Sequence, residues 1–382
     1  MLYIILYIVI SLLCISYFSS YKPLGTGKVA VIIATLAVIV GFSDMLGGYD
    51  RYIYGELFDR NADLIRAGGS FINPDSPIMG YHKEIAYVFW NSFVAYITPN
   101  RYIYILFTTI FIYTLLFISF RKMFMEYPIS ILLFMGLWFF FTFTYLRQVL
   151  AAGIVWFAIP YVAQRSFKKY LLFIVLATLI HNSAAYMILL YFIPRRKFEK
   201  KYIVIFMLTL LIIGISGVTK FVFSVSGDVV SNARIAGYAD TAEIGFRIEY
   251  VIEATLFLSI LLLNYKRIDD DALSLTLANV YLMFCGVLLF FCKSSDGGRI
   301  AWYCLIGIIV ILERLCRPKS AVALKSFITV MCFVLFYRIL SAWGILLYPY
   351  KTFFTPGIRQ GDFIEEAYEY DHAYDNDKLY NL

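Results

Sequence analysis

Residues 127–146 read YPISILLFMGLWFFFTFTYL, twenty positions without one charged side chain, and the next residue is Arg147. A helix needs about 20 apolar residues to cross roughly 30 Å of hydrocarbon, so this run alone is long enough to span a bilayer. Charge-free runs of the same kind lie on both sides of it. Val29–Ser43 and Tyr102–Phe120 precede it, and Tyr202–Thr219, Ala272–Cys292 and Ala301–Leu312 follow. Barrel strands would keep apolar residues to alternate positions; these runs are apolar on every face. Helices satisfy their own backbone groups in lipid, so helices are the expected elements. Composition agrees: 61% of residues are hydrophobic and 15% charged, where a water-soluble domain carries about 25% charged residues. The expected fold is all-α, a polytopic helical membrane protein of roughly 11–13 transmembrane helices with re-entrant segments.

The first apolar segment, Met1–Phe18, has no basic residue ahead of it, and Ser19-Ser20-Tyr21-Lys22 makes a poor cleavage site, so it reads as a retained helix. Residues 1–343 are expected to form a single polytopic domain, with an outer-face loop and amphipathic helix at 47–83. Residues 344–382 are expected to be an acidic extracytoplasmic tail. The six cysteines (Cys14, Cys285, Cys292, Cys304, Cys316, Cys332) lie in or at the edge of apolar segments and show no paired metal-ligand spacing. A Walker lysine loop, an HExxH helix and a DxD pair are all missing. No metal and no cofactor are therefore expected. A net charge of +7 suits a multi-pass protein of a bacterial cytoplasmic (inner) membrane, whose partner is the lipid bilayer and not nucleic acid.

Lys and Arg concentrate in cytoplasmic loops. The clusters here are Lys22/Lys28, Arg121-Lys122, Arg165/Lys168/Lys169, Arg195 to Lys201, Lys266-Arg267, and Arg314/Arg317/Lys319. Placing all of them inside requires an even number of crossings between neighbours. Residues 127–163 then make two spans turning near Arg147, residues 202–264 two spans around an outer loop at Ser224–Ile244, and residues 272–313 two spans turning at Lys293–Arg299. The run 170–194 is broken only by His181-Asn182-Ser183, and parity requires two half-helices turning there, a shape tolerated where it is buried in protein. The short segment Glu84–Tyr96 is assigned as re-entrant or interfacial on the same grounds. This arrangement puts Asp50, Arg147, His181 and Arg299 at the outer face.

Ionisable side chains within such a bundle are costly and are the natural candidates for function. Arg147-Gln148 interrupts a long uncharged stretch; a guanidinium there either snorkels to a helix end or binds phosphate oxygens through its planar fork. His181 is the only histidine inside the apolar segments; such a residue is either a hydrogen-bonded core group or a general base. Arg299 follows the turn Ser294–Gly298 and begins a helix, which would put Tyr303 on its face one turn later and Asp296 in reach of a salt bridge. Tyr49–Ala67 reads as an amphipathic interfacial helix with Ile53, Leu57 and Leu64 as its apolar stripe; Asp50 and Tyr54 near its start point to the bundle mouth, the other charges being a solvated face. Glu84, just before Tyr87, is a candidate partner for an arginine.

Taken in order, these motifs resemble the EpsG family of exopolysaccharide polymerases. Gly48-Tyr49-Asp50-Arg51-Tyr52-Ile53-Tyr54 and Glu84-Ile85-Ala86-Tyr87 are similar to the family's opening, with Arg51 where an aromatic is frequent and Ala86 where glycine is common. Leu146-Arg147-Gln148-Val149-Leu150-Ala151, Ile180-His181-Asn182-Ser183-Ala184 and Gly298-Arg299-Ile300-Ala301-Trp302-Tyr303 are similar to its later signatures. The resemblance implies kinship with O-antigen (Wzy-like) polymerases and a GT-C-like arrangement. It also implies metal-independent glycosyl transfer from an undecaprenyl-diphosphate-linked oligosaccharide at the outer leaflet, with a flippase and a chain-length regulator as partner proteins. On that basis His181 is the expected base with Asp50 or Glu84 behind it, and Arg147 and Arg299 hold the diphosphate. Gln148, Ser183, Tyr54 and Tyr303 are expected to orient sugar. Two other classes compete. A flippase for lipid-linked oligosaccharide would also use outward arginines, but no internal repeat of the transporter kind is present. A membrane O-acyltransferase would use a buried histidine without calling for two arginines.

Overall fold

The charge-free runs are largely helical: 77% of the described residues are helical, and among them no strand occurs beyond an isolated bridge between Ser43 and Thr352, while the run 127–146 is split into two helices by a turn at Trp138–Phe140. The computed structural model describes residues 1–18, 23–123, 128–218, 245–294, 297–356 and 378–379. The expected outer loop at Ser224–Ile244, Asp296 and nearly all of the acidic segment Gly361–Leu382 lie outside the described residues. In chain order the helices are α1 (Leu2–Phe18), α2 (Thr26–Phe42), α3 (Tyr49–Arg66), α4 (Ile85–Ile97), α5 (Arg101–Lys122), α6 (Pro128–Leu137), α7 (Phe141–Thr144) and α8 (Leu146–Ala163). There follow α9 (Phe167–Thr178), α10 (Lys200–Ile215), α11 (Ile248–Leu263), α12 (Ala272–Phe290), α13 (Leu305–Cys316) and α14 (Val322–Ala342). Asn182–Phe192 and Gly297–Cys304 are 3-10 helices.

Four of these, α5, α8, α12 and α14, are long and apolar enough to cross a membrane. Shorter apolar helices, among them α2, α4 and α6, accompany them. Large apolar side chains cover the outside of the bundle: Ile212 is 68% exposed, Val330 62% and Val334 57%. Water would not favour so many exposed large apolar side chains, whereas lipid does. The protein is an all-helical, multi-pass membrane protein.

The described chain divides into two compact units. Unit 1 comprises residues 1–157, 172–185 and 316–382; unit 2 comprises 158–171 and 186–315. In unit 1, α6 packs on α1 and α14, α2 on α5, and α3 on α4 and α5. Close approach of α6 to α14 depends on Gly136, because a Cβ there would lie 2.8 Å from the Cys332 carbonyl oxygen and 2.9 Å from its Cα. Small residues permit such contacts between helices in lipid. Gly136→Val should therefore force the two helices apart, destabilising the protein by about 1–3 kcal/mol. Its thermal unfolding in detergent, followed by tryptophan fluorescence, should move to lower temperature; an unchanged midpoint would refute the contact.

The start of unit 1 is organised by Arg51, which is fully buried. Its Nη2 donates to the carbonyl oxygens of Val40 and Ser43 at 3.0 and 2.8 Å, and Nη1 to that of Phe143 at 3.4 Å. A guanidinium at this point satisfies the orphan carbonyls at the end of α2 and meets the negative end of its dipole. Arg51 is thus a helix cap. Residues 350–353 pack onto the same end of α2, with Tyr350 Oη donating to the Ile39 carbonyl at 2.9 Å and the Phe353 N–H to that of Phe42 at 3.2 Å. The start of the expected tail is therefore packed protein.

Helix α3 is amphipathic, and the side it packs against protein is not the stripe of Ile53, Leu57 and Leu64. Its buried side chains are Arg51, Tyr52, Tyr54, Phe58, Asn61 and Ala62, while Ile53 is 48% exposed. Neighbours explain the choice: Asn61 Nδ2 bonds Asn91 Oδ1 and Ser92 Oγ of α4 at 2.8 and 3.1 Å, and the Phe58 ring stacks on Tyr104 of α5 at 4.5 Å. The polar group on the protein-facing side is buried with hydrogen-bond partners on the next helix, as buried polar groups generally are.

In unit 2 the basic loops meet. Arg165 donates to the carbonyls of Tyr191 and Ile193, Arg195 to that of Ala163, Lys197 to that of Ile268, and Arg267 to that of Leu315. Four loops carrying basic clusters are thereby joined, the cations donating to carbonyls at or beside helix ends. The Phe167 ring lies 4.9 Å from that of Tyr191, and Tyr170 Oη donates to the Met187 carbonyl. Residues before and after His181 are therefore paired in reverse order, and the segment is a hairpin. Its second arm is a 3-10 helix.

Candidate functional site

The site grows from two helix ends that cap one another within unit 1. Helix α4 begins after Glu84, and its first N–H groups need acceptors. The Leu179 carbonyl, at the tip of the hairpin, supplies one: the N–H groups of Ala86 and Tyr87 donate to it at 2.9 and 3.3 Å. In return the Glu84 carboxylate reaches the start of the 3-10 arm, where Oε1 accepts the Asn182 N–H at 3.1 Å. The same Oε1 lies 3.0 Å from His181 Nδ1, and Oε2 pairs with Arg147 Nη1. Glu84 and His181 are thus held by backbone bonds as well as by side chains.

Arg147 lies in the first turn of α8, two residues after Tyr145, where helical geometry is interrupted. A cation there faces the positive end of the helix dipole, and the Glu84 carboxylate offsets that. Tyrosines surround the guanidinium, with the rings of Tyr81, Tyr54 and Tyr87 centred 4.2, 5.4 and 5.4 Å from Cζ. Each such stack contributes about 0.5–2 kcal/mol, more as water is excluded. Nε also donates to Tyr54 Oη at 3.3 Å, while Nη2 bonds to no described residue. The side chain is 12% exposed, that of Glu84 6% and that of His181 23%.

Burial pushes the Glu84 carboxyl up, but the His181 hydrogen bond, the Arg147 charge and the Asn182 N–H outweigh it and hold it below the usual carboxylate range. Glu84 is therefore an ionised acceptor at neutral pH. Tyr54 moves the other way: burial raises its hydroxyl against the lowering effect of Arg147, so it stays protonated.

The residues singled out in the sequence separate into two groups. Glu84, Arg147, His181 and Tyr54 come together. Asp50 is half-buried one turn before Tyr54, its N–H donating to Thr144 Oγ1 at 2.7 Å, and it bonds neither Arg147 nor Glu84. Gln148 is buried and Ser183 half-buried, and neither bonds Glu84 or Arg147. Arg299 and Tyr303 belong to unit 2. There the expected shared face fails, because Gly297–Cys304 is 3-10. Three residues per turn bring position i+3 into register in place of i+4. Arg299 accordingly lies over Trp302, 6.0 Å from the ring centre, and Tyr303 is fully buried.

Three contributors went unread in the sequence. Tyr81 is the nearest ring to Arg147, and its only signal was an aromatic three residues before Glu84. The Leu179 carbonyl and the Asn182 N–H are backbone groups without a sequence signal. In unit 2, a Cβ at Gly298 would lie 2.4 Å from Tyr250 Cζ, and the Arg247 N–H donates to the Cys292 carbonyl at 2.7 Å. Arg247 and Arg299 are thus carried on adjoining segments.

No curated protein and no solved structure matches the chain significantly. The family model described as EpsG family matches residues 28–352, a stretch that holds Asp50, Glu84, Arg147, His181 and Arg299. The chain belongs to the EpsG family.

Proposed function

We propose that this protein is a polysaccharide polymerase of the bacterial cytoplasmic membrane, acting at the outer leaflet on undecaprenyl-diphosphate-linked repeat units. The observation that carries this reading is Arg147: a guanidinium caged by tyrosines, with Nη2 not bonded to any described residue, held by the same carboxylate as a histidine. A hydroxyl of the acceptor repeat unit attacks the anomeric carbon of the donor glycan. The bond from that carbon to the diphosphate oxygen breaks, and its electron pair leaves with the polyprenyl diphosphate. His181 takes the hydroxyl proton, and Arg147 stabilises the charge that develops on the leaving diphosphate. Arg299, in the other unit, is a separate candidate for anion binding. Charge stabilisation by arginine makes the transfer independent of metal, so product should form in excess chelator. A flippase and a chain-length regulator are the partner proteins this role calls for.

The test is the fate of lipid-linked repeat units in cells lacking the protein. Single units accumulating on the outer leaflet, with polymer lost, are expected. Units trapped on the cytoplasmic leaflet would make it a flippase, and normal polymer lacking only an acyl group would make it an acyltransferase.

A further inference from the structure

We infer that Glu84 is the positioning residue of the site: it holds the His181 imidazole as the Nδ1–H tautomer, making Nε2 the nitrogen that accepts a proton. The assignment of that proton to the acceptor hydroxyl rests on the function proposed above; the tautomer does not.

The argument is one of donors and acceptors. Three groups converge on the carboxylate: Arg147 Nη1 on Oε2, the Asn182 N–H on Oε1 at 3.1 Å, and His181 Nδ1 on Oε1 at 3.0 Å. A guanidinium and a peptide N–H can only donate. A carboxylate receiving both is held ionised and can only accept, so Nδ1 must bring the proton to the third bond. Which ring nitrogen carries the proton is set by the hydrogen bond that the other makes. With Nδ1–H committed to Glu84, the lone pair falls to Nε2. Glu84 itself is poorly placed as a base, since both its oxygens already accept from cationic or N–H donors. The arrangement is also rigid, because Glu84 precedes α4, whose first N–H groups are tied to Leu179, two residues before His181. Orienting carboxylates of this kind matter for rate: the wrong tautomer lowers turnover on the order of 10⁴-fold in serine hydrolases.

The chain has three histidines, so His82→Gln with His372→Gln leaves His181 alone. The full-length protein, labelled with ¹⁵N-histidine and reconstituted in lipid bilayers, is measured by solid-state NMR at about pH 9, above the ordinary imidazole range. The ¹⁵N shifts should show a protonated Nδ1 and a bare Nε2. Glu84→Gln keeps the shape of the side chain but removes its charge, and it should shift the population towards Nε2–H. Glu84→Ala should shift it further, and Arg147→Lys should leave the tautomer as in the parent protein. An Nε2–H ring in the parent protein, or one unchanged in both Glu84 variants, would overturn the inference. If the tautomer responds as expected while the protein makes no polymer, the inference stands and the polymerase reading falls.

Discussion

Arg147→Ala is expected to abolish polymer synthesis and to lower the amount of folded protein, and a second variant separates the two effects. The substitution leaves the Glu84 carboxylate, 6% exposed, with only His181 and the Asn182 N–H as partners. Breaking a buried pair from one side costs about 3–5 kcal/mol, because the remaining charge is left uncompensated. In the proposed role, removing Arg147 from the leaving diphosphate should cost a further factor of about 10²–10³ in rate. Combining Arg147→Ala with Glu84→Gln removes the stranded charge, so protein abundance should recover while polymer stays absent. Arg147→Lys is also instructive: it keeps the charge but loses the planar fork and the stack on Tyr81, so it should fold and work poorly. Membrane abundance by immunoblot and chain length by gel of the extracted glycan are the two measurements. Polymer at the parent level from the folded double variant would remove Arg147 from the chemistry.

His181→Ala should show the opposite balance, with little loss of protein and a large loss of transfer. The His181 side chain is 23% exposed, and Glu84 keeps both Arg147 and the Asn182 N–H after its removal. No charge is stranded, so the cost in stability is small. Loss of a general base lowers the rate by about 10²–10⁴-fold. His181→Gln discriminates further, since a glutamine can still bond Glu84 yet cannot take a proton at neutral pH. Single lipid-linked repeat units should accumulate in both variants. A His181→Gln protein that polymerises normally would reduce His181 to a structural partner of Glu84.

Several features were legible in the amino-acid sequence because they depend on local chemistry. A run such as 127–146 is mostly helical, because lipid offers its backbone groups no other partners, and a histidine beside Asn182 and Ser183 in an apolar stretch marks a break. That break is present, and the chain folds back on itself there. Arg147 and His181 stood out for the same reason, since an ionisable group in an apolar segment is costly enough to be noticed without a fold.

What the sequence by itself determined, then, is the solvent of each segment, and hence an all-helical membrane protein, the break at His181 and the EpsG signatures along the chain, whereas the turn at 138–140 inside the longest uncharged run was not legible. Partnership was decided only by the tertiary structure. Glu84 meets Arg147 across 63 residues and His181 across 97, separations at which no helical period relates one position to another. The same holds for Arg51, whose role as cap of α2 depends on carbonyls that only the folded backbone brings to it. Arg299 shows the limit at short range, where the choice between 3-10 and α geometry exchanged Tyr303 for Trp302. Hydrophobicity is a property of each side chain and can be read one residue at a time. Hydrogen bonds and ion pairs depend on angles and distances between two groups, and those exist only once the chain has folded.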